Sequence, residues 1–114
     1  MNISEVAAKT GLTPVTLRYY EKIGLIPSVK RKSGGVRNYS EADLEWINFI
    51  KCMRSAGLSI DSLIHYTALY NQGSATEAER RNILIAERAQ LEKKYHVIGE
   101  TLANLNRKIA MYDR

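Results

Sequence analysis

The sequence has a single cysteine, so no disulfide can form within the chain, and one free thiol fits a reducing compartment. It has no apolar run near the length of a membrane span, which makes a membrane the weaker partner. MNISEVAAKTG lacks the long apolar core of a signal peptide, and a cytoplasmic location is expected. Only two prolines, Pro14 and Pro27, interrupt it, and none follows in the last three-quarters of the chain. Internal repeats and low-complexity tracts are also missing. With 114 residues, 45% of them hydrophobic, there is material for one modest core and little else.

What is abundant is positive charge, a formal net of +5. It is concentrated. Between Arg18 and Tyr39 the cations are Arg18, Lys22, Lys30, Arg31, Lys32 and Arg37, against the lone acid Glu21, an excess that equals the net charge of the whole chain. Tyr19, Tyr20 and Tyr39 are interleaved with them. Ammonium and guanidinium groups neutralise a phosphate backbone and phenols hydrogen-bond it, so the stretch reads as a polyanion-binding module.

Its local signals give that module a shape. Thr13 is an N-cap with Pro14 at the first helical position, and VTLRYYEKI runs unbroken to Gly24. Leu17, Tyr20 and Ile23 share one face, leaving Thr16, Arg18 and Tyr19 to look elsewhere. Beyond Pro27, the Lys30–Lys32 run and Gly34-Gly35 predict a basic hairpin turned by positive-φ glycines. Upstream, Asn2 with Glu5 forms a capping-box pattern for a first helix with Ile3, Val6 and Ala7 on its apolar face, stopped by Gly11. A capped helix, a glycine turn, a second capped helix and a basic hairpin make a winged helix-turn-helix, whose second helix normally enters the major groove.

Ser40 caps a third helix, apolar over a wide arc from Leu44 to Met53. Gly57 ends it and Ser59 starts a fourth through Ile60, Leu63, Ile64 and Leu69. Asn71 to Ser74 reads as a linker, and Thr76 with Glu79 as a further capping box. The last segment carries apolar residues at Leu84, Leu91, Tyr95, Ile98, Leu102, Leu105, Ile109 and Tyr112, a heptad seam broken only by Arg88. A helix from Glu77 to Tyr112 would span roughly 54 Å. Its stripe calls for a second copy of the chain; folding back onto the head is the alternative. The expected division is 1–71 for the DNA-binding head, 72–76 for the linker and 77–114 for the dimerisation helix. Two heads on one dimer would bind a pseudo-palindrome.

TLRYYEKIGLIP, the basic hairpin, VRNYSEADLEWI and the terminal helix together resemble the MerR family of bacterial transcription regulators, over essentially the whole chain. The resemblance implies a mainly α fold with a small β-hairpin wing and an antiparallel coiled coil. It also implies a homodimer that distorts double-stranded promoter DNA so that RNA polymerase can use it. Residue by residue, it gives Thr16, Arg18 and Tyr19 recognition-helix roles, with Arg18 at or near a base. Tyr20, Lys22, Arg37 and Tyr39 match phosphate-holding positions. Lys30, Arg31 and Lys32 match the wing in charge only, and the family's usual aromatic before Arg-x-Tyr is Val36 here.

IKCMRSAGLSI, with its one cysteine, is similar to the branch that responds to aldehydes, other electrophiles or nitrosative stress. Cys52 is thereby the candidate sensor, although as a residue it reads more readily as a small buried hydrophobe. No cofactor is expected, and no large small-molecule ligand, since the chain stops at the seam. Metal-sensing relatives hold their ion with two or more cysteines near the end of that helix. Here Cys52, His65 and His96 have no ligand-like spacing. Two other readings remain: an effector-independent architectural or repressor-type dimer with a structural cysteine, and a thiol enzyme using Cys52 with His65 as base. The second lacks a residue to orient the base.

Overall fold

The computed structural model describes residues 1–113. Arg114, which closes the expected dimerisation segment, lies outside them. The order is α1 (Ile3–Thr10), α2 (Pro14–Ile23), α3 (Glu41–Ser55), α4 (Ile60–Asn71), a short 3-10 turn (Ser74–Thr76) and α5 (Glu77–Ala110).

Each early helix starts where its cap predicts. The Glu5 N–H donates to Asn2 Oδ1 at 2.9 Å, although the reciprocal half of that capping box is not made and the Glu5 side chain stays in solvent. Thr13 Oγ1 accepts from the Thr16 N–H, and Ser59 Oγ from the Ser62 N–H. Ser40 and Asp43 form a complete capping box. Gly11 and Gly24 close α1 and α2 with φ of 74° and 84°, where a side chain would be strained. Between α2 and α3 the chain makes a small wing. Arg31 and Arg37 form one antiparallel bridge, the Lys32 N–H donates to Val36 O at 2.7 Å, and Gly34 and Gly35 turn the tip at positive φ.

Val6, Leu17, Leu25, Ile47, Ile50 and Leu63 are sealed completely at the centre of the head. α3 is packed on two sides, as its wide apolar arc requires. Ile47 and Ile50 face the core, while Trp46, Phe49 and Met53 are partly buried against it. The buried polar atoms at this junction are paired: Trp46 Nε1 and Thr67 Oγ1 both donate to the Leu25 carbonyl.

Two expectations for the C-terminal third need correction. Thr76 does not cap α5. The 3-10 turn leads straight into the helix and holds Thr76 at φ −97°, ψ 5°, so its buried hydroxyl donates backwards to the Leu69 and Gly73 carbonyls instead. Nor does all of α5 stand clear of the head. Ile83, Leu84, Ile85 and Leu91 are half-buried, Leu91 packs against the core, and Lys94 Nζ donates to the Gly57 carbonyl at 3.2 Å. Beyond Lys94 every described residue is exposed. The helix is thus half packed and half projecting. The radius of gyration, 18.9 Å, reflects this; a compact chain of this length would have about 13 Å.

Candidate nucleic-acid interface

Leu17, with no exposure, pins α2 to the core and sets which side chains face out. Arg18, Tyr19 and Lys22 are exposed, Tyr19 by 54%, while Thr16 is half-buried and also accepts from the Thr13 hydroxyl at 2.9 Å. Lys30, Arg31 and Lys32 are all exposed on the wing, where the Arg31 guanidinium donates to the Gly35 carbonyl.

One acid joins helix to wing. Glu21 Oε1 accepts from Arg37 Nε at 2.7 Å, and Oε2 from the Val29 N–H at 2.8 Å. Burial pushes the Glu21 carboxyl up, but the Arg37 hydrogen bond, the Val29 N–H and the charges of Arg37 and Arg31 outweigh it and hold the group below its ordinary value. The carboxylate therefore braces the wing against α2. Arg18, Arg37, the wing tip at Gly35 and Val36, and the start of α1 at Asn2 and Ile3 then border an open cleft of about 180 Å³. Its two guanidinium groups suit an anion.

In this geometry three residues expected at phosphates are drawn into the chain's own packing. Arg37 has its Nε committed to Glu21 and is half-buried, so bracing is its first role. Tyr20 is half-buried and packs on the core. Tyr39 is only 2% exposed; burial raises its phenol above the ordinary value, and its hydroxyl has no partner. Tyr39 serves through its backbone, accepting from the Met1 ammonium and donating to the Met1 carbonyl, which ties the wing's exit to the start of α1. Sequence reasoning overlooked Glu21. A lone acid among six cations was the available signal.

Cys52, which as a residue reads as a small buried hydrophobe, is exposed. Seven residues from Glu45 on the same face of α3, it lies two turns further along that face. His65 is exposed on α4. Among the described residues no group of three or more His, Cys, Asp or Glu side chains could hold a metal ion, and no helix is long and apolar enough to cross a membrane.

This arrangement of capped helices, braced wing and long helix has known counterparts. The model of the MerR HTH family regulatory proteins matches residues 1–69. The chain belongs to the MerR family. A second family model, for MerR DNA binding, matches residues 44–110. Among curated MerR proteins, the HTH-type transcriptional regulator AdhR of Bacillus subtilis (strain 168) is 59% identical over 91 residues. That match takes in 80% of this chain and 65% of AdhR, just under two-thirds of the relative's length. A crystal structure described as a MerR family transcriptional regulator from Listeria monocytogenes superposes with a TM-score of 0.98 at 44% identity, covering 100% of this chain and 86% of that one. HiNmlR, a MerR family regulator lacking the sensor domain and crystallised bound to promoter DNA, gives 0.88 at 27% identity, covering 98% and 89%. The two family models that describe MerR regulators and their DNA binding between them take in residues 1–110 of the chain.

Proposed function

We propose that this MerR protein binds a pseudo-palindromic promoter as a homodimer and activates by distorting the duplex so that RNA polymerase can use it. Residues 1–71 form the reading head, 72–76 the connection and 77–114 the pairing helix, acting in the cytoplasm. Arg18 meets base edges, with Thr16 and Tyr19 beside it. Lys22, Lys30, Arg31 and Lys32 meet phosphates, and Arg37 adds its remaining donors once bound to Glu21. Bending DNA takes several kcal/mol, on the order of 1–6 for a smooth bend, so strong backbone contacts suit the task. The likeness to HiNmlR, which was crystallised on promoter DNA, supports the same docking face here.

The signal is a small aldehyde or another thiol-reactive compound, received at Cys52. The observation that carries this reading is the exposure of that thiol on a helix whose neighbours Phe49 and Met53 pack inward. A cysteine kept only for packing would be buried, so exposure speaks against the effector-independent dimer. The sulfur adds to the electrophilic carbon, and the carbonyl oxygen of an aldehyde takes up a proton. In vitro transcription from the cognate promoter, with wild type and Cys52→Ser, each with and without a small aldehyde, tests it. Aldehyde-dependent activation confined to the wild type is expected. Equal behaviour of both proteins with DNA binding intact would remove Cys52 from the mechanism.

A further inference from the structure

Among residues 1–69 the exposed large hydrophobic side chains are Val15 at 72%, Tyr19 at 54% and Val36 at 59%. All three lie on the proposed DNA face. Val15 and Tyr19 are on α2, and Val36 is at the wing tip, where it borders the same cleft as Arg18. Single apolar residues scattered over a surface are ordinary, whereas these are gathered on one side of the head.

Local physics does not ask for valine at position 15. It is the second residue of α2, after the Thr13 cap and Pro14, and a β-branched side chain standing in solvent costs helix propensity relative to alanine. The first turn of a helix favours an acid, and α1, α3, α4 and α5 each place one there, with Glu5, Glu41, Asp61 and Glu77. α2 has none. Its first turn is free of the negative charge that would repel a phosphate backbone, and it presents an aliphatic side chain instead.

Position decides what that side chain meets. With Leu17 sealed in the core, Val15, Arg18, Tyr19 and Lys22 fall at i, i+3, i+4 and i+7 on the outward face, and all four are exposed. Val15 is the N-terminal member, and the N-terminal residues of a recognition helix are the ones that contact base edges in the major groove. An isopropyl group can neither donate nor accept a hydrogen bond. Of the four bases only thymine presents an apolar group in that groove, its 5-methyl.

We infer that Val15 reads a thymine, packing its two methyl groups against the 5-methyl of a base about one helical turn from the base edge met by Arg18. The contact adds a sequence preference that phosphate-binding cations cannot give, because the backbone is the same at every step. In a dimer it is made once in each half-site. This inference rests on α2 being the reading helix, as proposed above.

The full chain is used to select duplexes from a random-sequence pool. Each thymine of the selected half-site is then replaced in turn by deoxyuridine, which removes the methyl and keeps every hydrogen-bonding atom. Wild type, Val15→Ala and Arg18→Ala are titrated onto these duplexes at fixed salt. At one thymine, wild type is expected to lose about fourfold in affinity per half-site, the worth of one buried methyl group. Val15→Ala, in which the better helix former keeps α2 intact, is expected to lose most of that discrimination. Discrimination kept in full by Val15→Ala, while Arg18→Ala weakens binding, would overturn the role of Val15 and leave α2 as the reading helix. A selected site with no methyl-sensitive thymine would overturn it as well. Both variants binding the selected duplex as wild type does would overturn the reading face itself.

Discussion

The head and the far half of α5 treat apolar residues in opposite ways. Leu17, Ile47, Ile50 and Leu63 have no exposed surface, whereas Ile98, Leu102, Leu105 and Ile109 are each more than half exposed, although all eight are large aliphatics on regular helices. The head needs nothing beyond its own chain to close its core. The tail has the same kind of residue on a surface its own chain never covers. The difference marks where the chain's own packing runs out, and the boundary falls near Lys94, whose Nζ still donates to the Gly57 carbonyl.

Core truncation should show this contrast most strongly. Ile50→Ala is expected to destabilise the head by about 2–5 kcal/mol, a large part of the roughly 5–15 that a domain commands. Leu105→Ala, measured by the same thermal melt in dilute solution, is expected to leave the head's transition in place. Equal losses from both would erase the distinction.

A smaller effect is expected at the brace. Glu21→Gln should cost about 1.5 kcal/mol or a little more at pH 7, because a charge-assisted bond to Arg37 becomes a neutral one. The native Glu21 carboxyl lies below its ordinary value, so its contribution is complete above the unfolded value of about 4.3 and disappears as pH falls through the lower, folded value. Urea melts of wild type and variant should therefore differ at pH 7 and converge as the pH falls below the folded value. A gap that persists in acid would show that the carboxylate charge is not what braces the wing.

The smallest effect concerns the boundary itself. Lys94→Met removes an exposed contact of 3.2 Å to Gly57 and should move head stability by no more than about 0.5 kcal/mol. A larger loss would shift the boundary further along α5.

Much of this was legible one residue at a time. Asn2, Thr13, Ser40 and Ser59 announce helix starts, and Gly11 and Gly24 helix ends, because capping is decided within a few residues of the cap. The exposed cations of α2 and the wing were equally legible, since charge avoids burial. What resisted were choices made by distant neighbours. Arg37 and Glu21 are 16 residues apart, and nothing local says that they meet. Tyr39 carries a hydroxyl suited to phosphate and yet fills the core, as its ring allows either fate. Leu84 and Leu91 fit a pairing seam and a head contact equally well, and only the packed structure shows that α5 begins on the head.

The most direct test of the whole account is sedimentation of the chain on a promoter duplex carrying both half-sites, across a salt series, beside Leu102→Asp. Two wild-type chains per duplex, released steeply as salt rises, with Leu102→Asp binding weakly and singly, is the predicted result. One wild-type chain per duplex, or the same stoichiometry for both proteins, would contradict it.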